Sequence, residues 1–336
     1  MQKILLIKTS SLGDVLHLLP ALSDARRFHP NLRFDWLVEE AFAEIPAWHP
    51  SVQRVIPVAL RRWKKEPFLS VWRGEPQRFW RAIHLDRYDA VIDAQGLLKS
   101  AILGCLAHGR RYGYDFRSAR EPLATLLYQA KEQVDRDLHA LTRLRILFAA
   151  IFGYPLPRSP ADYGLSKRFP RANDPSFDWI FIPGTTWKSK LWPQQHWQTL
   201  AALAAAEGRV LLVWGTLDEL TRAKQIAAVA PERIRVASKG SLSQLATALA
   251  AAKGVVAVDT GPGHLAAAVG TPVVGLYGPT DPQRTGSVGP QQRLLQGMCA
   301  QLPCRQRLCP LDDPSPCLQA LPPEMVWQAL QQQSLS

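Results

Sequence analysis

The sequence has no long apolar run, and this excludes the simplest membrane-spanning arrangement. No segment offers about 18 uninterrupted apolar residues, the length that a membrane helix requires. Near the amino terminus, four apolar residues lie between Lys3 and Lys8. This run is too short for a signal peptide and is typical of a buried strand. We therefore expect a cytoplasmic protein.

Several nucleotide and nucleic-acid signatures are also missing. Neither the GxGxxG pattern of dinucleotide-binding folds nor the GxxxxGK[ST] pattern of the P-loop occurs. No zinc-finger, RNP or basic-zipper pattern accompanies the basic residues. A dinucleotide-binding or P-loop protein is therefore disfavoured, and we expect no nucleic-acid partner.

What is present indicates an α/β protein of two domains. The chain has 336 residues, 47% of them hydrophobic and 20% charged, which suits two globular domains better than one. Short apolar runs alternate with helix-like segments in both halves, and this pattern predicts two doubly wound parallel sheets. The predicted strands are 3–8, 33–38, 54–58, 88–93, 178–183, 209–214, 233–237, 254–259 and 272–277.

Composition marks the boundary between the two halves. Five prolines fall within 155–175, a stretch without clear periodicity, which predicts a linker. We therefore predict domains at 1–160 and 175–322. The segment 285–317 is rich in Gly, Pro, Gln and Cys and predicts a surface excursion. The final stretch, 323–336, predicts a helix that packs on either domain, including a return to the first.

Positive charge exceeds negative charge, and half of the excess lies in one stretch. The net charge is +12, and residues 54–81 alone contribute +6. Such a cluster indicates an anionic partner, for example a phosphorylated substrate or an acidic membrane surface. A solvated helix face is the alternative. The cations are Arg54, Arg61, Arg62, Lys64, Lys65, Arg73, Arg78 and Arg81.

Cysteine is scarce, and four of the five cysteines lie near the end of the chain. Cys105 stands alone in an apolar stretch, where we expect an inert buried thiol. The gaps between the other four are wider than the usual C-x2-C pairs of zinc sites, and a cytoplasmic setting disfavours disulfides. We therefore predict free thiols, with structural zinc as the alternative. These four are Cys299, Cys304, Cys309 and Cys317.

The loop after the first predicted strand is a candidate ligand site. In open α/β sheets, ligands bind beyond the carboxyl ends of the strands. Residues 9–13 supply three hydroxyl side chains and Gly13, which permit a tight turn with amide donors, and Asp14 follows at the start of a helix. A capping role for Asp14 is the alternative. The residues before it favour a catalytic or binding role.

The loop after the first strand of the second half predicts a diphosphate site. Thr185 and Thr186 offer hydroxyl donors, and Lys188 and Lys190 offer positive charge. A lysine at this place can offset charge on a departing phosphate.

Two further turns in the second half support a nucleotide ligand. Asp259, Thr260, Gly261 and His264 belong to a tight turn that leads into a helix, whose backbone amides suit a phosphate. Glu219, after another strand, is placed to accept hydrogen bonds from ribose or sugar hydroxyls.

This division of residues predicts a donor domain that faces an acceptor domain across a cleft. The chemistry that it suits is group transfer: a base takes a proton from an acceptor hydroxyl, which attacks an anomeric carbon as a nucleotide diphosphate leaves. We expect neither a cofactor nor a catalytic metal site.

Seven ordered motifs between residues 1 and 282 resemble the lipopolysaccharide heptosyltransferase I enzymes of glycosyltransferase family 9. The resemblance implies a GT-B fold of two Rossmann-like domains. It also implies inverting transfer of L-glycero-D-manno-heptose from ADP-heptose to Kdo of Kdo2-lipid A, by a monomer in peripheral contact with the cytoplasmic face of the inner membrane. The motifs are KTSSLGDVLH (8–17), FDWLVEE (34–40), RRWKK (61–65), VIDAQGLLKS (91–100), AREPLA (119–124), VDTGPGHL (258–265) and YGPTDP (277–282).

The same resemblance implies roles for individual residues. Asp14 is the implied general base. Lys190 is preferred to Lys188 at the diphosphate because it keeps the K-x-W-P spacing. The implied donor-binding residues are Thr185, Thr186, Lys190, Glu219, Asp259, Thr260, Gly261 and His264. The implied acceptor-binding residues are Ser10, Ser11, Gly13, Arg61, Arg62, Lys64, Lys65 and Arg120.

Two other functions stay open from the sequence. One is a heptosyltransferase of type II or III, which adds a later heptose to the same core. The other is a non-catalytic protein that binds a nucleotide sugar.

Overall fold

The computed structural model describes residues 2–172, 175–312 and 315–334. The chain divides into two compact units, Met1–Gly164 and Leu165–Ser336. Within the described ranges, each unit contains a six-stranded sheet whose strands are all parallel. No helix of these ranges is both long enough and apolar enough to span a bilayer.

The first unit alternates strands and helices along the chain. Its strands are β1 (Lys3–Ile7), β2 (Arg33–Glu39), β3 (Val52–Val58), β4 (Arg87–Asp93), β5 (His108–Tyr114) and β6 (Ala130–Glu132). Its helices are α1 (Leu12–Leu16), α2 (Leu19–Phe28), α3 (Glu44–Trp48), α4 (Leu60–Lys65), α5 (Pro67–Trp72), α6 (Glu75–His84), α7 (Leu98–Cys105) and α8 (Ala140–Phe152), with 3-10 turns at Glu40–Phe42 and Pro122–Leu127.

The strand order of this sheet, β3-β2-β1-β4-β5-β6, places β1 at its centre. Ile4 of β1 pairs with Phe34 of β2 on one side and with Ala90 of β4 on the other. A strand with helices on both faces and strands on both edges has no surface for water, which explains its continuous apolar sequence. The order reverses between β1 and β4, so their carboxyl ends form the crevice where such folds bind ligands.

The second unit repeats this architecture. Its strands are β7 (Trp179–Ile182), β8 (Val210–Leu212), β9 (Ile234–Val236), β10 (Gly254–Val258), β11 (Val273–Tyr277) and β12 (Gln292–Gln296). Its helices are α9 (Gln194–Glu207), α10 (Leu217–Ala227), α11 (Leu242–Ala251), α12 (Gly261–Ala268), α13 (Pro282–Thr285), α14 (Pro316–Gln319) and α15 (Pro323–Ser334), with a 3-10 turn at Lys188–Lys190. The order β12-β11-β10-β7-β8-β9 reverses between β7 and β10.

The final helix α15 belongs to the core of the second unit. Val326 and Leu330 are fully buried there, and the ring of Trp327 lies edge-on to that of Trp179 in β7, with 5.2 Å between centroids. The helix also contacts α9 and β10 to β12. The sequence left open which domain this helix packs on, and these contacts are with the second unit.

Three observed strands were not predicted from the sequence. β5 reads HGRRYGY and β6 has three residues, so neither shows an apolar run. β12 reads QRLLQ and lies inside 285–317, which was predicted to be a surface excursion. β6 and β12 are edge strands and β5 lies next to an edge, where burial is incomplete and polar residues are tolerated.

The prediction that Cys105 is buried is wrong. Its side chain lies at the end of α7 and is exposed, because only one face of this helix covers the sheet. The four later cysteines are free thiols and line one small cavity of the second unit. Across the described ranges, no group of three or more His, Cys, Asp or Glu side chains is arranged to hold a metal ion.

Candidate functional site

In the first unit, Asp14 lies just beyond the carboxyl end of β1, in the first turn of α1. The backbone N–H and the hydroxyl of Ser11 both donate to Oδ2 of Asp14, each at 2.9 Å. Among the described residues, none donates a hydrogen bond to Oδ1. Asp14 therefore has the helix-capping role that the sequence offered as the alternative, and it still keeps one carboxylate oxygen for a ligand.

Charge beneath the loop keeps Asp14 ionised. Burial works to raise the pKa of its carboxyl, but Lys8, the two hydrogen bonds from Ser11 and the charge of Arg120 outweigh it. The pKa of Asp14 therefore lies below its usual value, and the side chain is a carboxylate at neutral pH. Lys8 is itself buried, which lowers its pKa, and its Nζ donates to the carbonyl of Ala94 at 3.1 Å.

Gln95, just beyond the carboxyl end of β4, holds in place the loop that leads to Asp14. Its Oε1 accepts from the backbone N–H of Thr9 at 3.1 Å, and its Nε2 donates to the carbonyl of Ser10 at 2.7 Å. Neither Gln95 nor Lys8 was assigned a role from the sequence. Lys8 directly follows the apolar strand β1, and Gln95 lies two residues beyond the end of β4, so their positions at the carboxyl ends of strands were the available signal.

Asp93 stabilises the same end of β4 through the hydrogen bonds that its carboxylate accepts. Its carboxylate accepts from the hydroxyls of Tyr128 at 2.5 Å and Ser100 at 2.8 Å, and from the backbone N–H of Gln95 at 2.8 Å. Burial raises the pKa of Asp93, although these donors oppose it. A fully satisfied buried network of this kind makes the loop support rigid.

The predicted acceptor-binding cations fall into two groups. Arg120 lies close enough to Asp14 to lower its pKa, so the structure brings these two together. Arg62 instead forms ion pairs with Glu40 at 2.9 Å and Glu75 at 2.8 Å, which occupy its guanidinium.

The other predicted cations follow β3, in α4. The guanidinium of Arg61 lies over the ring of Phe42, 5.8 Å from its centroid, and the backbone N–H of Arg61 donates to Glu39 at 3.1 Å. Lys64 and Lys65 are exposed to solvent.

In the second unit, Asp259 is the centre of the corresponding crevice at β7 and β10. Lys190 Nζ lies 2.6 Å from its Oδ2, and the hydroxyl of Thr280 donates to the same oxygen at 2.6 Å. His264 Nε2 lies 3.9 Å from its Oδ1, and Thr185 donates to its backbone carbonyl at 3.2 Å. The structure therefore brings together four of the predicted donor-binding residues.

Asp259 is held in its ionised form in this crevice. Burial works to raise the pKa of Asp259, but the hydrogen bond from His264 and the charge of Lys190 outweigh it and hold the pKa well below its usual range. Thr260 is extended and α12 begins at Gly261, so the amino terminus of this helix, with its partial positive charge, lies at the carboxyl end of β10. A Cβ at Gly263 would lie 3.0 Å from that of Ala257, so a glycine permits this close packing.

Lys188 and Lys190 differ in their surroundings. Lys190 is held over the ring of Trp187, 4.5 Å from its centroid, whereas Lys188 is exposed. Between them, the hydroxyl of Ser189 donates to the carbonyl of Gln306 at 2.5 Å and anchors the turn. Thr186, in the same loop, is exposed. The structure thus positions Lys190 more firmly than Lys188.

Glu219 lies at the same edge of the sheet, with a structural role that the sequence did not reveal. Its Oε2 accepts from the backbone N–H of Gly215 at 2.6 Å and of Thr216 at 3.2 Å, which caps α10. A Cβ at Gly184 would clash with the Glu219 side chain, so this glycine lets the carboxylate lie against the end of β7.

Comparison with known proteins identifies the family. Residues 77–314 match the family model of glycosyltransferase family 9 (heptosyltransferase). Lipopolysaccharide heptosyltransferase 1 of Escherichia coli strain K12 is 47% identical over 294 residues, which cover 86% of this chain and 92% of that protein. Its namesake from Pseudomonas aeruginosa is 47% identical over 316 residues, covering 91% and 87% respectively.

A solved structure agrees with these relatives. The structure of E. coli heptosyltransferase WaaC with ADP-2-deoxy-2-fluoro heptose matches with a TM-score of 0.85 and 42% identity, covering 97% of this chain and 98% of that one. These comparisons confirm the predicted resemblance, the GT-B fold class and the prediction of an enzyme. The chain belongs to glycosyltransferase family 9, the heptosyltransferases.

Proposed function

We propose that this chain transfers L-glycero-D-manno-heptose from ADP-heptose to a Kdo residue of Kdo2-lipid A, with inversion at the anomeric carbon. The relatives named above are lipopolysaccharide heptosyltransferases 1, and the matching solved structure holds an ADP-heptose analogue. The observation that carries the mechanism is the carboxylate of Asp14, ionised and anchored through one oxygen at the β1 crevice.

In this mechanism, Asp14 is the general base. Its Oδ1 takes the proton of a Kdo hydroxyl, and the hydroxyl oxygen attacks the anomeric carbon of heptose. As the new glycosidic bond forms, the bond from that carbon to the β-phosphate oxygen breaks, and ADP leaves with the electron pair. The carboxylate must be ionised before this step, which agrees with its lowered pKa.

The second unit supplies the leaving-group side of the reaction. Lys190 exchanges its contact with Asp259 for an oxygen of the diphosphate, where its charge offsets the negative charge that develops. Thr185, Thr186, Thr260 and Gly261 complete the phosphate-binding turns, together with Asp259 and His264. Glu219 accepts hydrogen bonds from donor hydroxyls through the oxygen that does not cap α10.

The first unit supplies the acceptor side. The charge of Arg120 acts on Asp14, so Arg120 contacts the carboxylate of Kdo, while Arg61, Lys64 and Lys65 meet the more distant phosphates. Arg62 orders this region through its two glutamate partners and also contributes positive charge. The protein works as a monomer at the cytoplasmic face of the inner membrane, where such an acceptor resides.

An acceptor comparison tests this proposal. Purified protein with ADP-heptose is offered Kdo2-lipid A or its monoheptosylated form, and the heptosylated product is measured by mass spectrometry. We expect turnover of Kdo2-lipid A, with Asp14→Asn as the inactive control. Exclusive turnover of the monoheptosylated form would assign a later heptose. ADP-heptose binding without any transfer would assign a non-catalytic binding protein.

A further inference from the structure

Helix α5 exposes its large apolar side chains and buries a polar one. Phe68 is 89% exposed and Trp72 is 84% exposed, and Leu69 and Val71 are also exposed. The buried residue of this helix is Ser70. A surface helix of a soluble protein turns its apolar side inward, so this arrangement indicates a surface that is covered by something else.

The neighbouring helices hold this face outward. Phe79 and Ile83 of α6 are buried in the core of the first unit. Trp63 of α4 packs edge-on to Phe79, with 5.8 Å between centroids, and its indole N–H donates to Glu75 at 2.8 Å. Since α5 lies between two anchored helices, the outward position of its aromatic side chains follows from the packing on both sides.

The next helix, α6, also carries an exposed aromatic side chain and exposed cations. Trp80 is 55% exposed and stacks on His84, with 4.0 Å between ring centroids. Arg73, Arg78 and Arg81 are exposed beside it. We call Phe68, Leu69, Val71, Trp72 and Trp80, together with these three arginines, the α5 surface.

Aromatic residues interleaved with arginines fit the headgroup region of an anionic bilayer. Tryptophan is enriched at membrane interfaces because its ring is apolar and its N–H is polar, and cations near such a surface gain from its negative potential. Two copies of a surface with the same positive charge would repel each other, which disfavours self-association. A bilayer satisfies both the apolar and the charged components.

The location of the α5 surface fits this partner. α4 begins just after the carboxyl end of β3, so this helix, which leads into α5, starts at the same edge of the sheet as Asp14. An enzyme whose acceptor is anchored in a bilayer gains from meeting the headgroups at that edge.

We propose that the α5 surface docks the protein on an anionic lipid bilayer, with Phe68 and Trp72 entering the headgroup region. This inference deepens the proposed function, because it names the surface that meets the membrane holding the acceptor. It places the aromatic side chains in the interface and the three arginines against lipid phosphates.

Vesicle flotation of the full chain tests the docking surface. Vesicles of phosphatidylcholine with phosphatidylglycerol are compared with phosphatidylcholine alone. We expect the wild type to bind the anionic vesicles, and Phe68→Ser/Trp72→Ser to bind them at least about tenfold more weakly, because two large apolar groups no longer leave water. Leu123→Ser/Leu126→Ser removes two similarly exposed apolar residues of the same unit and should bind as the wild type does.

A variant without two of the arginines separates the contribution of charge to vesicle binding from that of the apolar side chains. Arg73→Gln/Arg81→Gln should weaken binding to anionic vesicles by about fivefold for each cation and leave binding to neutral vesicles unchanged. Thermal unfolding followed by circular dichroism should be the same for all variants, since the altered side chains are exposed. Unchanged vesicle binding by the aromatic variant would overturn the proposal. So would a wild-type dimer that this variant converts to a monomer without loss of vesicle binding.

Activity distinguishes a failure of this inference from a failure of the proposed function. The aromatic variant should transfer heptose normally to a soluble acceptor without acyl chains, and poorly to Kdo2-lipid A in vesicles. If it works equally well on both acceptors, the docking surface is wrong and the reaction stands. If the wild type transfers to neither but binds vesicles through Phe68 and Trp72, the reaction is wrong and the docking surface stands.

Discussion

The two crevices of this protein have the same strand topology, and each contains one lysine and one aspartate. The buried member of the pair is the lysine in the first crevice and the aspartate in the second. At β1 and β4, the carboxylate of Asp14 is turned toward the ligand side, and Lys8 is buried beneath it. At β7 and β10, the carboxylate of Asp259 is the buried support, and Lys190 lies above it at 2.6 Å. In the proposed mechanism, one crevice therefore presents a base and the other presents a cation for phosphate.

Direct contact is the second difference between the crevices. Lys190 touches Asp259, whereas Nζ of Lys8 is bound to the carbonyl of Ala94 and acts on Asp14 through its charge. A carboxylate in direct contact with a cation is a weak base, because the proton it accepts must displace that contact. The longer-range arrangement at β1 keeps Asp14 ionised and leaves Oδ1 available.

Removing the base should have the largest effect. We expect Asp14→Asn to lower kcat by at least about 100-fold, since the amide accepts no proton but can still accept the N–H of Ser11. Steady-state kinetics with ADP-heptose and Kdo2-lipid A measure it. The KM for ADP-heptose should change little, because the proposed mechanism places that substrate in the other crevice. Full activity in Asp14→Asn would refute the assignment of the base.

The two lysines of the phosphate loop should differ strongly. We expect Lys190→Ala to lower kcat by about 10- to 100-fold, since charge on the leaving diphosphate loses its cation. Lys188→Ala is the matched control in the same loop and should stay within about twofold, because this lysine is exposed. Equal losses in the two variants would contradict the assignment of Lys190.

Loosening the loop that carries the base should have a moderate effect. Gln95→Ala removes the hydrogen bonds to Thr9 and Ser10, and we expect kcat to fall about fivefold through poorer positioning of Asp14. Gln95→Glu keeps the acceptor for Thr9, and its kcat should lie between those of Gln95→Ala and the wild type. A change in KM for ADP-heptose without any change in kcat would argue against a positioning role.

Removing the buried lysine should change the pH dependence more than the rate. Because the pKa of Asp14 is lowered, wild-type activity should fall only on acidification below about pH 4, near the ordinary value for aspartate. In Lys8→Met the carboxylate of Asp14 loses its main stabilising charge, so its pKa rises. The acid limb of the activity profile, the pH range in which activity falls on acidification, should therefore move up by about one pH unit or more. The plateau rate should change by less than about threefold. An unmoved acid limb would show that Lys8 does not act on Asp14.

The sequence predicted the centre of each sheet well and the periphery poorly. Central strands such as β1 and β10 are continuous apolar runs, so their ends and the residues after them could be located, including Asp14 and Asp259. β5 carries polar residues next to a sheet edge, and its sequence resembles a loop. The supporting roles of Lys8 and Gln95 depend on contacts between β1 and β4, which are more than 80 residues apart in sequence.

The wrong prediction for Cys105 has a related cause. The stretch LKSAILGC is apolar enough to suggest burial throughout, yet α7 packs on the sheet with one face only. Ile102 is 51% exposed on the other face of α7, and Cys105 is exposed as well. The composition of a helix shows how apolar it is. Which of its faces is exposed depends on the elements that it packs against.

The packing of α15 also sets an order of events during synthesis. Val326, Trp327 and Leu330 help to enclose the second sheet, so the core of this unit is completed only after residues 323–334 have left the ribosome. The core clusters of the first unit draw only on residues before 165. The unit that contains Asp14 can therefore fold while the unit that contains Asp259 is still being translated.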